Sequence, residues 1–128
     1  MKGKPATCLA FFLGVLALAG GAAAHHGTAN YDTSRTISVR GTVTEFDFIN
    51  PHVLIYMDGK DESGKPQKWQ GELTSPNRLA RVGWHKDTLK VGDVVTISGY
   101  PTKSGAPEVW IQKVIGPDGG DLQTGGGN

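Results

Sequence analysis

The chain has 128 residues, enough for one domain, and its 13 Lys and Arg nearly balance its 12 Asp and Glu. The basic residues are spread along the sequence and interleaved with acidic ones, whereas nucleic-acid-binding proteins usually carry a clustered basic face. This composition argues against nucleic acid as a partner, and we expect a single small domain with another function.

Residues 1–24 have the pattern of a cleavable signal peptide. Lys2 and Lys4 provide the positive start, residues 9–19 are apolar, and three alanines at 22–24 suit a cleavage site. The apolar run is shorter than the roughly 20 residues that span a bilayer. We therefore predict a periplasmic protein that starts at His25 and has no stable membrane anchor; an uncleaved anchor is the alternative.

Cleavage would also remove the single cysteine, Cys8. The mature chain would then have neither a disulfide nor a catalytic thiol, although an exported protein is permitted disulfides. Its formal charge would change little, because 11 Lys and Arg would remain against 12 Asp and Glu. The predicted domain must therefore be stabilised by its core alone.

The first predicted strand, residues 36–48, contains a change of phase. Val39 and Val43 belong to one face by alternation, but Phe46 belongs to the other. A change of phase without a turn indicates a bulge, and Gly41 is a residue that permits such a bend. A long bent first strand is what a small closed barrel requires.

The rest of the domain reads as four further strands and one short helix. Ser75 is a suitable N-cap, Pro76 a suitable first helical residue, and Gly83 a suitable end. Leu79 and Val82 would then share a face that, extended by Trp84 just beyond, is enough to plug the end of a barrel. The further strands are predicted at residues 52–58, 67–73, 94–100 and 108–115.

This order predicts an all-β fold, a small five-stranded OB-like Greek-key barrel with its helix between strands 3 and 4. The barrel would span residues 36–115, after an extended N-terminal arm at 25–35. Residues 116–128 contain six glycines and few apolar side chains, so we predict a flexible tail there. A meander or an open sandwich is the alternative architecture.

Several motifs of the mature chain resemble a family of small exported bacterial proteins known only as a domain of unknown function. The resemblance implies an exported OB-like barrel and no demonstrated activity, and His85 stands where a small polar residue is expected. The shared motifs are His25-His26, Tyr31-Asp32, Gly41 to Phe46, Asn50-Pro51-His52, Ser75-Pro76-Asn77 with Leu79, Arg81 and Gly83-Trp84, and Leu89 to Asp93 with Gly99 and Pro101.

Two adjacent histidines at the predicted mature N-terminus suggest a metal site. A free amine and the ring of His25 or His26 can chelate one ion, and His52 would add a third nitrogen. Nitrogen ligands suit copper, which heads the divalent affinity order, and Tyr31 or Asp32 would supply an oxygen. The alternative is that His25 and His26 are tolerated on a frayed end and that His52 caps a strand.

Asn50 and Trp84 are the further candidates for ligand binding. For Asn50, which precedes proline, the competing interpretation is that its side chain holds a turn, and for Trp84 it is that the indole packs in the core, as tryptophan more often does. Trp69 and Trp110 lie on predicted strands, where they would either pack or stack on a sugar or base.

We interpret the chain as a non-enzymatic binding module of the periplasm with copper at His25, His26 and His52. The sequence contains no nucleophile elbow, phosphate loop, zincin helix or haem attachment motif. An adaptor or structural protein that binds a protein or a glycan on the barrel surface is the alternative. A copper redox enzyme that uses the same N-terminal ligands is a weaker one.

Overall fold

The computed structural model describes Gly3 and residues 27–125. The predicted strands and the helix between strands 3 and 4 are confirmed, with strand bounds within two residues of those expected. The elements are a 3₁₀ turn at Thr28–Asn30, β1 at Ile37–Asp47, β2 at Leu54–Lys60, β3 at Pro66–Glu72, α1 at Pro76–Ala80, β4 at Val94–Pro101, β5 at Glu108–Ile115 and β6 at Asp121–Leu122.

Strands β1 to β5 form a closed barrel with OB-like topology. β1 pairs antiparallel with both β2 and β4, β2 pairs with β3, and β4 pairs with β5. A short parallel pairing closes the barrel, in which residues 70–72 of β3 lie beside residues 108–110 of β5. This closure brings together two strands that are far apart in sequence.

The phase change in β1 is a β-bulge, as predicted, but Gly41 does not produce it. The register shifts between Val43 and Glu45, so that Val43 is buried before the shift and Phe46 packs against the core after it. A side chain at Gly41 would instead overlap the carbonyl oxygen of Asp58 on β2. Gly41 therefore permits the close approach of two strands, and the expected role as the bend was wrong.

The helix region plugs one end of the barrel with two of the three side chains expected. Leu79 and Trp84 are buried in the core, whereas Val82 is 42% exposed. The helix ends at Ala80, and the chain turns through Gly83 at φ +98°, which confirms the predicted left-handed end. Because the helix ends so early, Val82 leaves the apolar face, whereas Trp84 packs into the core as expected.

The glycine-rich segment after β5 is more ordered than predicted. Strand β6 pairs with β5, and Leu122 packs against the core. The Nε1–H of Trp84 donates to the carbonyl of Gln123 at 2.6 Å. A buried indole N–H needs an acceptor, and backbone pairing requires few apolar side chains, so the segment docks despite its composition. The flexible tail predicted from residue 116 is therefore wrong as far as residue 125.

The segment before β1 contacts the end of β4 and the loop that follows it. Tyr31 forms an isolated bridge with Thr102, and the backbone N–H of Asp32 donates to the carbonyl of Pro101 at 2.8 Å. Tyr31 is only 4% exposed. Across the described part of the chain, no helix combines the length and hydropathy of a membrane span.

Candidate functional site

Four side chains from distant parts of the sequence meet on the outer face of the barrel, beside the β3–β5 closure. Glu72 and Trp110 are register partners across that closure, and Leu54 lies opposite Glu72 on β2. His52 lies two residues before Leu54 and therefore faces the same side. Tyr31 completes the group, which we call the His52 cluster: Tyr31, His52, Glu72 and Trp110.

The carboxylate of Glu72 connects two members of this cluster. Its Oε1 lies 2.5 Å from Nδ1 of His52, and its Oε2 accepts a hydrogen bond from the Tyr31 hydroxyl at 2.7 Å. The side chain of Glu72 is only 18% exposed and that of His52 30%. Hydrogen bonds to a charged carboxylate are stronger than neutral ones, so this network fixes both partners.

Aromatic contacts support the same arrangement. The Trp110 ring packs against Tyr31 with centroids 5.8 Å apart, and its contact with His52 is T-shaped, with centroids 5.5 Å apart. Burial, the hydrogen bond to Glu72 and the negative charges of Glu72 and Glu108 raise the pKa of Tyr31 well above its ordinary value. Tyr31 is therefore a neutral donor at physiological pH.

The second ring nitrogen of His52 is available. Nε2 makes no hydrogen bond with any of residues 27–125. Since every buried side-chain nitrogen and oxygen of those residues has a partner, Nε2 must be reached by solvent. An accessible imidazole nitrogen whose other nitrogen donates to a carboxylate is the usual arrangement of a histidine metal ligand.

The sheet register extends this face into two rows across four strands. Four of the eight side chains in these rows are acidic and none is basic, with Tyr56, Leu54 and Trp110 partly exposed between them. Partial burial and the Asp47, Glu45 and Glu108 charges raise the pKa of Tyr56. The rows are Glu45, Tyr56, Gln70 and Glu108, and then Asp47, Leu54, Glu72 and Trp110.

Of the three histidines predicted to bind the metal, the structure describes only His52. His52 belongs to the cluster, but His25 and His26 lie outside the described residues. Asp32 is engaged locally, because its carboxylate accepts from Ser34 and pairs with Arg35 at 3.3 Å. Residues 27–125 contain no group of three His, Cys, Asp or Glu that could hold a metal ion.

The two other predicted ligand-binding residues do not join the His52 cluster. Trp84 is 4% exposed, and its ring packs at 6.1 Å from Phe46, so it is a core residue and cannot serve as an exposed platform. Asn50 is exposed before a cis bond to Pro51, and its side chain makes no hydrogen bond within the described chain. Its expected role of holding the turn is not seen.

Sequence reasoning missed Glu72 and the anchoring role of Tyr31. In the sequence, Glu72 is one polar residue between Gly71 and Leu73 on a predicted strand, and nothing nearby distinguishes it. The only available signal was alternation, which places Glu72 on the outer face. The sequence suggests packing or stacking for Trp110. It does not reveal the contact with His52, which depends on a parallel pairing that no local pattern encodes.

The sequence profile of a family of unknown function, DUF6152, matches residues 13–110. The chain belongs to DUF6152. This confirms the resemblance to a domain of unknown function and supplies no activity. No curated protein matches the chain in sequence.

The solved structures that match this chain include the following three, each with a TM-score below 0.5. A complex of TiaS with transfer RNA and ATP is 24% identical over 65% of this chain and 18% of TiaS, with a TM-score of 0.46. A ZRD-deleted TiaS mutant with agmatine is 23% identical over 74% of this chain and 24% of that one, with a TM-score of 0.47. The S. cerevisiae mitochondrial single-stranded DNA-binding protein Rim1 is 9% identical over 70% of this chain and 95% of its own, with a TM-score of 0.46.

This chain therefore spans less than a quarter of either TiaS chain. At these identities the similarity concerns the fold alone. The ligands named for TiaS and Rim1 belong to those proteins and are not assigned to this chain.

Proposed function

We propose that the protein is an exported, periplasmic binding module that holds a transition-metal ion, with copper as the best match, through His25, His26 and His52. The single observation that carries this proposal is the state of His52. Its Nδ1 is bound to Glu72 at 2.5 Å, while its Nε2 is accessible and has no partner among residues 27–125.

The path of the N-terminal segment supports a joint site. Tyr31 shares the Glu72 carboxylate with His52, and both rings pack against Trp110. Residues 28–30 form a 3₁₀ turn, so the chain between Gly27 and Tyr31 is compact and, at a rise of about 2 Å per residue, spans roughly 8 Å. We expect His26 and His25, the next two residues toward the N-terminus, to reach Nε2 from there.

Copper suits this set because the donors expected from His25, His26 and His52 are nitrogens. Imidazole and amine nitrogens bind Cu(II) more tightly than the other divalent first-row metals. Nearby carboxylates on the same face, such as Glu108, would favour a cation in addition. Signal-peptide features of residues 1–24 support the export that would create the free amine.

A Cu(II) titration of protein that starts at His25 tests the proposal. We expect a d–d absorption band that saturates at one equivalent, and a much weaker complex when the terminal amine of His25 is acetylated, because the amine can then no longer bind the ion. His85→Ala is the matched control and should bind like the wild type. Equal binding by the two N-terminal forms, or binding by neither, would contradict the proposal.

A second candidate function is an adaptor or structural protein that binds a protein or a glycan on the barrel surface. It is favoured by the partly exposed Tyr56 and Trp110 between carboxylates. Glu45, Asp47 and Glu108 form no ion pair within residues 27–125. The negative charge favours a basic protein segment over a glycan.

An oligolysine peptide is a suitable probe for this second function. We expect it to shift the NMR signals of Tyr56 and Trp110, and expect Glu45→Lys with Glu108→Lys to remove the shifts. Unchanged wild-type signals would contradict the adaptor function and leave the copper titration unaffected.

A further inference from the structure

We propose that Glu72 is a positioning residue for His52: it selects the ring form in which Nδ1 carries the hydrogen, and thereby keeps the electron pair of Nε2 free for a ligand. The statement that Nε2 is kept free for a metal ion rests on the proposed function. The ring form itself belongs to the metal-free protein and is measurable there.

The donors and acceptors around Glu72 determine the ring form. An ionised carboxylate only accepts hydrogen bonds. Its Oε2 accepts from the Tyr31 hydroxyl at 2.7 Å, and its Oε1 lies 2.5 Å from Nδ1 of His52. The Nδ1 atom must therefore be the donor, and a neutral His52 ring carries no hydrogen on Nε2.

The packing around the pair holds both groups in place. Tyr31 is 4% exposed and its backbone is bridged to Thr102, so its hydroxyl is a fixed donor to the carboxylate. The Trp110 ring meets the imidazole at an interplanar angle of 78°, which restricts rotation of the His52 ring. Glu72 and His52 are thus oriented before any ligand arrives.

Such a carboxylate affects a metal ion that it does not touch. A hydrogen bond at Nδ1 increases the basicity of Nε2 and fixes its direction, and loss of such partners typically weakens metal binding about 10–100-fold. Glu72 would therefore tune the affinity of His52 through the imidazole ring.

His85 provides an internal contrast. The backbone N–H of Asp87 donates to Nδ1 of His85 at 3.2 Å. Nδ1 of His85 is thus an acceptor, and its hydrogen belongs on Nε2. The two described histidines should have opposite ring forms in one protein under one condition.

Ring ¹⁵N NMR of the metal-free protein, recorded at a pH high enough that the ring signals no longer change on further addition of base, tests the proposal. We expect the hydrogen on Nδ1 of His52 and on Nε2 of His85. Glu72→Ala should move the His52 hydrogen largely to Nε2. Glu72→Gln should do the same, because its single amide oxygen would accept from the fixed Tyr31 hydroxyl and its NH2 group would then face Nδ1. Glu108→Ala, a carboxylate on the same face without contact to His52, is the matched control and should change neither histidine.

A wild-type His52 with its hydrogen on Nε2 would overturn the proposal, even if Glu72→Ala did not fold. An unchanged ring form in a folded Glu72→Ala protein would also overturn it. Cu(II) titration of the same variants then measures the consequence, with an expected loss of about 10–100-fold in affinity for Glu72→Ala. Wild-type protein that shows the expected ring form but binds no Cu(II) would contradict the proposed function and leave the role of Glu72 intact.

Discussion

The surroundings of His52 and His85 differ in how far along the chain their partners lie. His85 contacts its neighbours, since its backbone N–H donates to Thr88 Oγ1 at 2.8 Å and its ring accepts from Asp87. His52 contacts Glu72, which is 20 residues away, and Trp110, which comes from another strand. His85 therefore belongs to a local turn, whereas the His52 environment exists only when the barrel is closed.

This difference separates a structural histidine from a candidate functional one. Local hydrogen bonds of the kind around His85 are common where a polar side chain stabilises a loop. The His52 environment combines a buried tyrosine, a partly buried carboxylate and an indole around one accessible nitrogen. A partly buried polar network of this kind is energetically more demanding to form than the local hydrogen bonds around His85. We expect substitutions in the two regions to have correspondingly unequal effects.

Copper binding should respond most strongly to such substitutions. In protein that starts at His25, His52→Ala should weaken Cu(II) binding about 100-fold or more, since loss of a direct ligand should cost at least as much as loss of its hydrogen-bond partner. His85→Ala should leave the affinity within a factor of about two, because His85 is engaged in its own turn. Competition with a chelator of known affinity measures both, and equal losses would remove the distinction between the two histidines.

A more modest change is expected in stability. Glu72→Ala leaves the buried Tyr31 hydroxyl without its acceptor, which should lower the free energy of unfolding by about 1–3 kcal/mol. Thr88→Ala removes an exposed acceptor from the His85 turn and should cost about 0.5 kcal/mol or less.

Urea unfolding of both variants measures these free energies. Tyr31→Phe with Glu72→Ala should cost little more than Glu72→Ala alone, because the two groups share one hydrogen bond. Fully additive losses would show that the pair is not coupled.

Alkaline pH should change the stability of the protein less than the substitutions above. The pKa of Tyr31 is raised in the folded protein by burial and by Glu72. Above about pH 10 the unfolded chain loses the tyrosine proton while the folded protein keeps it, so the contribution of Tyr31 to stability is present below about pH 10 and declines above it. Tyr31→Phe should reduce the fall in thermal midpoint between about pH 9 and pH 11, and an unchanged fall would contradict the burial argument.

Much of the scaffold followed from local sequence patterns. Strand phase predicted the bulge in β1, and Ser75, Pro76 and Gly83 predicted a short helix between β3 and β4, because these signals act within a few residues. Val82 was misassigned since the helix ends before it. The docking of Leu122 was missed because composition does not reveal backbone pairing.

The candidate site was only partly predictable for the same reason. His52 stood out by its residue type and its place beside Pro51. Its partnership with Glu72 depends on the register of β2 and β3, and that of Trp110 on the parallel closure. Tyr31 reaches Glu72 only because its segment pairs with Thr102, and no local signal records a contact over that distance.

Selective line broadening by Cu(II) is the decisive test of the joint site. In protein that starts at His25, a substoichiometric amount of Cu(II) should broaden the ring signals of His25, His52 and Trp110 together, because the paramagnetic ion would lie among them, while the His85 signals remain sharp. If the His25 signals broaden and those of His52 and Trp110 stay sharp, the ion is held by the N-terminus alone, and the assembly of a copper site over the barrel face is contradicted.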